Sequence, residues 1–390
     1  MAAIYDEPCF LDELKSYIMN RPNASAETAK KELDLMDNVT LNIAVTGESG
    51  VGKSTLVNAL RGVREGETGS AETGVTETTM MATRYTHPSM TNVFIWDLPG
   101  IGTPNFKAKT YLKDVSFETY DFFIIIGTVR FKENDLMLAK EIKKRKKMFY
   151  FVRSKIDQDI SAEARKKNFN EEKVLNQIRL SCKDNLRTIG NPDVFLISTF
   201  QLEKYDFQKL IDSLINNLSD HKRSALVQSM PACSLPMIEQ KKRELYKIAF
   251  AVAAGAATSA AIAIPGLSVG CEIGVMQGFL KKAHVSFGLD AESIKRIATR
   301  INKPERELRI AMTSRFANGI NERVVVGMFA HRSVITAKAF EVVLSGILGL
   351  GSLAAMGISF TTTLHLLQEG IKEMTDDAKA VLAIALSFEK

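Results

Sequence analysis

Cysteine is scarce in this sequence of 390 residues, and the formal net charge is only +6. The four cysteines lie far apart with no C-x-x-C pair, so neither a disulfide framework nor a zinc site is expected. This usage predicts a reducing, intracellular location. The small basic excess does not resemble a dedicated nucleic-acid binder, and we expect no nucleic-acid partner.

Signals for membrane attachment are also missing from the ends of the sequence. Ala2 stands where N-myristoylation requires glycine, and the last four residues contain no cysteine for prenylation. Two stretches without charge, 248–271 and 342–368, reach the length of a membrane span. The first is rich in alanine and broken by Pro265, and the second is diluted by Gly, Ser and Thr. We therefore favour buried helices for both and expect any membrane contact to come from the body of the protein.

The chain length predicts two folding units, and the hydrophobic pattern changes part-way along the chain. Short apolar runs alternate with helical patterns in the first half, which predicts an α/β fold with a largely parallel sheet. The predicted strands are 41–45, 93–96, 122–126, 149–152 and 194–197. Beyond residue 220 only helical patterns continue. We expect N-terminal helices at 1–38, the α/β domain at 39–220 and helices at 221–390, with both chain ends building one all-α domain.

A glycine-rich segment follows the first predicted strand and precedes a predicted helix, which is the context of a phosphate-binding P-loop. Backbone N–H groups would surround the phosphates, Lys53 would reach the β and γ oxygens, and the Ser54 hydroxyl would coordinate Mg²⁺. A chance glycine-rich turn is the alternative, which this context disfavours. The candidate nucleotide-binding residues here are Gly47, Glu48, Ser49, Gly50, Val51, Gly52, Lys53, Ser54 and Thr55.

A D-x-x-G pattern follows the second predicted strand, at Asp97 and Gly100. Asp97 would hold Mg²⁺ through water, and the Gly100 N–H would contact the γ-phosphate. Alone, this pattern more often marks an ordinary aspartate at a turn, and the preceding P-loop is what favours the metal role. Between the two motifs lies a Thr-rich loop typical of a nucleotide-sensing switch, in which Thr73 and Thr79 compete as the candidate metal ligand.

The segment that begins at Ser154 has the pattern S-K-x-D of a guanine reader. An Asp157 carboxylate can accept hydrogen bonds from guanine N1–H and the 2-amino group, whereas adenine offers neither donor. The Lys155 stem would lie along the base, and a backbone N–H at Ser198 would contact the guanine oxygen. A solvated acid and an ordinary strand-end hydroxyl are the alternatives. The sequence therefore predicts GTP and GDP with Mg²⁺, and not ATP.

Together these residues resemble the immunity-related GTPases, an interferon-inducible family that acts on intracellular membranes. The resemblance runs nearly end to end. Lys53 is typical of the lysine subgroup, which resembles the effectors of the family more than its regulators. Ala2 stands in place of the myristoylation glycine that some members use, and Ser154 stands where the family usually has threonine. Besides the P-loop, the resemblance rests on residues 60–62, 73–75, 96–102, 120–126, 149–153 and 205–207, with weaker matches at 286–290 and 373–378.

This resemblance implies a Ras-like P-loop GTPase domain that hydrolyses GTP to GDP and phosphate. Ile101 follows Gly100, so the glutamine that orients the attacking water in Ras-like GTPases is missing. In the family a second molecule completes the site, and the matching positions are Glu77 and Arg130. An exposed, solvated Arg130 is the alternative. The resemblance thus implies a homodimer or homo-oligomer through the nucleotide face, association with related GTPases, and a cytoplasmic protein peripheral on intracellular membranes in cell-autonomous defence.

Two alternatives stay open at this point. The basic run 143–147 would either attract an anionic membrane or form a solvated helix end, and the second is commoner. The rival function is a membrane-associated scaffold that uses GTP as a conformational switch with negligible hydrolysis.

Overall fold

The computed structural model divides the chain into two units, one of which is Val39–Ser234. The described residues from Leu235 onward belong to the other unit. The predicted N-terminal helices fall outside the described residues except at Asn38, so their packing stays a prediction. The structure describes residues 38–74, 79, 81–102, 107–190, 192–261, 267–330 and 357–387.

The first unit is built on a six-stranded sheet in the order β2-β3-β1-β4-β5-β6. Every neighbouring pair is parallel except β2 with β3, which is antiparallel. The predicted Ras-like fold with a largely parallel sheet is confirmed. The strands are β1 (Leu41–Gly47), β2 (Thr83–Thr86), β3 (Val93–Asp97), β4 (Phe122–Gly127), β5 (Met148–Arg153) and β6 (Val194–Leu196).

The central strands are apolar because helices cover both faces of a parallel sheet. Every residue of β4 is buried, and β1 is buried except at Asn42. The edge strand β2 was not predicted, because its sequence TRYT is polar and mostly exposed and has no apolar run. Its backbone pairing with β3 is what fixes it as a strand.

The helices of this unit lie between the strands and after the last one. They begin with α1 (Lys53–Leu60) and α2 (Ala108–Asp114), then α3 (Glu133–Lys144), α4 (Ile156–Glu163), α5 (Glu171–Leu186), α6 (Phe207–Ile215) and α7 (Asp220–Ser229). Because α7 contacts β1, β3 and α6, it belongs with the sheet. The division therefore falls after Ser234, whereas the sequence placed it near residue 220.

The end of α3 carries the basic run 143–147, and several of its side chains contact their own domain. Lys143 donates to the Ile189 carbonyl at 2.9 Å, and Lys147 donates to the Tyr120 carbonyl at 2.6 Å. Arg145 lies over the ring of Phe117. These contacts favour the helix-end interpretation of the run.

Beyond Leu235 the described residues form helices without strands, as the sequence predicted. The helix Leu235–Ala261 packs along both Leu267–Ser286 and Gly357–Ser387. Gly370 of the last helix permits a close crossing, because a Cβ there would lie 2.8 Å from Leu280 Cδ2. The helices are α8 (Leu235–Ala261), α9 (Leu267–Ser286), α10 (Ala291–Arg300), α11 (Glu305–Ala311), α12 (Glu322–Ala330) and α13 (Gly357–Ser387).

The two charge-free stretches are only partly described. Residues 248–261 and 267–271 belong to α8 and α9, and residues 357–368 belong to α13. Within the described part of the chain, no helix combines the length and the hydropathy needed to cross a membrane. The rest of both stretches lies outside the described residues.

Candidate nucleotide-binding site

The predicted motifs meet at the carboxyl ends of the parallel strands, where ligands bind in open α/β sheets. The P-loop begins at Gly47, the last residue of β1, and Asp97 is the last residue of β3. Ser154 directly follows β5, and Ser198 lies two residues beyond the end of β6. The parallel topology therefore explains how motifs distant in sequence form one site.

Two glycines make the P-loop conformation accessible. At Gly47 a Cβ would lie 2.3 Å from the Ile126 carbonyl oxygen, so no side chain fits beside β4. Gly52 has a φ of 94° and precedes the first residue of α1, Lys53. Between these glycines, Ser49 and Gly50 are exposed. The loop thus presents backbone to solvent at a helix N-terminus, which is an arrangement suited to phosphate.

The side chains at the start of α1 point back to the P-loop and to β3. The buried Lys53 donates from Nζ to the Glu48 carbonyl at 2.9 Å. Ser54 donates from Oγ to Asp97 Oδ2 at 2.5 Å. Thr55 instead donates to a Glu65 carboxylate oxygen at 3.1 Å, on the exposed side.

The carboxylate of Asp97 accepts hydrogen bonds from two hydroxyl groups, and the residue is only 1% exposed. Thr79 donates from Oγ1 to the same oxygen as Ser54, at 3.0 Å, so Thr79 is the one of the two candidate threonines that contacts Asp97. Removal from water raises the pKa of Asp97, while the hydrogen bonds from Ser54 and Thr79 lower it. The other oxygen, Oδ1, is buried and has no hydrogen-bond partner among the described residues.

These oxygen atoms fit a hard cation. Carboxylate and hydroxyl oxygens are the ligands that Mg²⁺ prefers, and it is usually completed by phosphate oxygens and water. In the described ranges no group of three or more His, Cys, Asp or Glu side chains could hold a metal ion.

The guanine-reading segment is tied to the P-loop by two hydrogen bonds. Ser154 donates from Oγ to the Val51 carbonyl at 2.8 Å, and Lys155 donates from Nζ to the Gly50 carbonyl at 3.0 Å. Ser154 therefore supplies the same hydroxyl group that a threonine would supply at this position. Asp157 lies half-buried in the first turn of α4, and among the described residues no side chain is hydrogen-bonded to its carboxylate.

A buried arginine holds the surrounding loops together. Arg153 donates from Nη2 to Asp159 Oδ2 at 2.6 Å and from Nε to the Val129 carbonyl at 3.3 Å. It thereby connects the guanine-reading segment with the loop that carries Arg130. Ser198 accepts from the Phe200 N–H at 3.3 Å, so its hydroxyl shapes the turn after β6.

The position of the missing glutamine is enclosed by protein. The Ile101 side chain is fully buried in the core of the sheet domain. Its N–H donates to the Gly47 carbonyl at 3.2 Å, and its carbonyl accepts from Asn134 Nδ2 at 2.6 Å. Ile101 therefore has neither the chemistry nor the direction needed to orient an attacking water.

The loop between β4 and α3 contributes residues that sequence reasoning did not assign. Lys132 forms an ion pair with the P-loop residue Glu48 at 2.5 Å, and its side chain is 58% exposed. Asp135 caps α3 by accepting from the Lys132 N–H at 2.8 Å. Burial raises the pKa of Asp135 to about 7. An acid three residues after Lys132 is a helix-start signal, but its burial beside the P-loop depends on tertiary packing.

The structure describes only one of the two residues that we predicted to face a partner. Arg130 is exposed, and its neighbour Val129 is 75% exposed. Glu77 lies outside the described residues, so its placement stays a prediction.

Comparison with known proteins identifies the family. A family model described as interferon-inducible GTPase (IIGP) matches residues 20–385. The chain belongs to the interferon-inducible GTPases. Interferon-inducible GTPase 5 of Rattus norvegicus is 38% identical over 94% of this chain and 80% of its own length. Interferon-inducible GTPase 1 of Mus musculus is 43% identical over 71% of this chain and 67% of its own length.

Solved structures also match this chain. The crystal structure of Aquifex aeolicus Era bound to GDP·AlF4⁻ is 20% identical, with a TM-score of 0.32 over 46% of this chain and 56% of that chain. A score this low supports no conclusion about function. Family membership makes this interferon-inducible GTPase an enzyme that hydrolyses GTP to GDP and phosphate.

Proposed function

We propose that hydrolysis by this interferon-inducible GTPase is activated when two copies pair through their nucleotide faces with GTP bound. The buried Ile101 carries the proposal, because it occupies the position of the water-orienting glutamine and cannot replace it. A second copy is a source of the missing groups, and Arg130 is exposed on the loop next to the P-loop partner Lys132.

Each phosphate-binding residue has a role in this proposal. Lys53 exchanges the Glu48 carbonyl for the β and γ oxygens of GTP, and backbone N–H groups of residues 47–54 and Thr55 surround the phosphates. Ser54, Thr79 and Asp97, which two hydrogen bonds bring together, are the residues that would hold Mg²⁺. The Gly100 N–H contacts the γ-phosphate. Bound Mg²⁺ would neutralise the charge on the transferring phosphoryl group.

Base selection rests on the guanine-reading segment. Asp157 accepts from guanine, Lys155 covers the base with its stem, and a backbone N–H at Ser198 contacts the guanine oxygen. The hydrogen bonds from Ser154 and Lys155 to P-loop carbonyls support this assignment, because they hold the base and phosphate subsites at a fixed spacing.

Arg130 acts across the pair in this mechanism. A guanidinium supplied from a second molecule stabilises charge in the phosphoryl-transfer transition state, as an arginine finger does. The exposed Val129 beside it adds an apolar side chain to the nucleotide face, and burying this side chain against a second copy would favour pairing. Glu77, which we expect to contact the partner's nucleotide, is the second residue of this face.

Arg130→Ala is expected to reduce GTP-dependent pairing while leaving GTP binding nearly unchanged. The reason is that Arg130 contacts the partner and not the nucleotide held by its own chain. Analytical ultracentrifugation with a non-hydrolysable GTP analogue should show a pair for the unmodified protein and mostly monomer for the variant. With GDP, both should be monomeric.

Arg187→Ala is the matched control, because it removes another exposed arginine, at the residue that follows α5. It should pair as the unmodified protein does. Equal pairing of Arg130→Ala and the control would remove Arg130 from the interface.

The cellular role is proposed from family membership alone. In this role the protein is cytoplasmic and peripheral on intracellular membranes, acts in cell-autonomous defence and associates with related GTPases. The alternative is a membrane-associated GTP-switch scaffold with negligible hydrolysis, which the buried Ile101 also supports. Single-turnover hydrolysis by the purified protein at high concentration separates the two, because the scaffold would bind GTP without converting it.

A further inference from the structure

A tyrosine hydroxyl joins the strand before the P-loop to the D-x-x-G turn. Tyr111 of α2 donates from its hydroxyl to the Pro99 carbonyl at 3.0 Å. The same hydroxyl lies 2.8 Å from Oγ1 of Thr46, the residue immediately before Gly47. No motif of the sequence pointed to Tyr111, since its importance depends on where α2 packs.

The protons of this cluster can be assigned. A tyrosine hydroxyl has a single proton to donate, and the carbonyl of Pro99 can only accept. Tyr111 therefore donates to Pro99 and accepts from the Thr46 hydroxyl. Thr46 is fully buried, and burial also raises the pKa of Tyr111, so the neutral donor persists at physiological pH.

Holding the Pro99 carbonyl also fixes the direction of the next N–H. In a planar trans peptide the C=O of one residue and the N–H of the next point in opposite directions, and none of the described peptide bonds is cis. The Gly100 N–H therefore points away from Tyr111. The following residues run beside the P-loop, since the Ile101 N–H donates to the Gly47 carbonyl.

We propose that Tyr111 is a positioning residue for γ-phosphate recognition. Its hydroxyl fixes the plane of the peptide between Pro99 and Gly100, so that the Gly100 N–H faces the third phosphate before the nucleotide arrives. The energetic consequence is specific to the triphosphate, because GDP has no γ-phosphate to accept that hydrogen bond. This inference rests on the proposed contact between Gly100 and GTP.

The test compares two nucleotides in one variant. Tyr111→Phe keeps the ring and removes the hydroxyl. The affinity for a non-hydrolysable GTP analogue should fall about fivefold, the size of one ordinary hydrogen bond, while the affinity for GDP changes little. Isothermal titration calorimetry with each nucleotide and Mg²⁺ gives both values. Trp96, the only tryptophan in the sequence, lies in β3 directly before Asp97 and gives a fluorescence signal from a site next to this turn.

Two variants serve as matched controls. Tyr120→Phe removes another tyrosine hydroxyl that donates to a backbone carbonyl, that of Val115 at 2.6 Å, away from both loops. Thr46→Val removes only the bond that Tyr111 accepts and leaves its donation to Pro99. Both should keep the ratio of the two affinities.

The outcomes are distinct. The inference is supported if the ratio of the GTP-analogue affinity to the GDP affinity falls in Tyr111→Phe and stays unchanged in Tyr120→Phe and Thr46→Val. An unchanged ratio in the folded variant, or an equal loss for both nucleotides, overturns it while leaving GTP binding established. Failure of the unmodified protein to bind either nucleotide would instead overturn the proposed site.

Discussion

Lys53→Ala is expected to lower the affinity for GTP by about 100-fold or more. The variant removes the one ammonium group of the P-loop, and hydrogen bonds between charged groups are the strong ones. A 100-fold loss corresponds to about 2.8 kcal/mol, which is the size of one or two hydrogen bonds to charged groups. Titration with a fluorescent GTP analogue measures the change directly.

The matched control for this variant is Lys143→Ala. Lys143 also donates from Nζ to a backbone carbonyl, that of Ile189, at the same 2.9 Å as Lys53 to Glu48. It lies at the end of α3, outside the proposed nucleotide contacts. The control should bind GTP normally. Unchanged GTP affinity in folded Lys53→Ala would mean that the P-loop assignment is wrong.

Asp157→Asn is expected to change which base the protein prefers. An amide cannot accept as the carboxylate does from guanine N1–H and the 2-amino group, so GTP affinity should fall about 10- to 100-fold. The same amide can donate to the 2-oxo group of xanthine, which an aspartate repels. Affinity for xanthosine triphosphate should therefore rise. Competition between the two nucleotides measures the reversal.

Asp184→Asn tests whether this effect comes from charge alone. It makes the same chemical change on α5, where Asp184 pairs with Arg187 at the surface. Its preference for GTP should match that of the unmodified protein. If Asp157→Asn lost both nucleotides equally, Asp157 would not belong to the base site.

The sheet domain could be predicted from the sequence because its central strands are continuous apolar runs. The run Phe122–Gly127 is buried throughout, so hydropathy alone identifies β4. The edge strand Thr83–Thr86 has no such signal, because it is defined by pairing with β3. The sequence placed the unit boundary near residue 220 instead of after Ser234 for a similar reason. The contacts of α7 with β1 and β3 are tertiary and cannot be read from the composition.

In the nucleotide site, too, some residues could be predicted from sequence motifs and others could not. Lys53, Asp97 and Asp157 occupy motifs whose spacing is set by the strand-to-loop geometry, so their roles could be inferred from pattern. The supporting residues could not. Tyr111 contacts Pro99 and Thr46 across sequence separations of 12 and 65 residues, and no spacing rule covers such contacts.

The choice between the two switch threonines shows what the structure adds. Thr73 and Thr79 are equivalent in sequence terms, because both lie in one polar loop after the P-loop. Only the three-dimensional contact of Thr79 with the Asp97 carboxylate distinguishes them. The hydroxyl of Ser54 reaches the same carboxylate oxygen, so three separate motifs converge on one point.

Activation by pairing is the central claim, and the rate of GTP hydrolysis per molecule across a dilution series of the purified protein tests it most directly. Because the second copy supplies groups that Ile101 cannot replace, the rate per molecule should rise with protein concentration and fall to a low basal value on dilution. A rate per molecule that stays constant over the whole series would contradict the account.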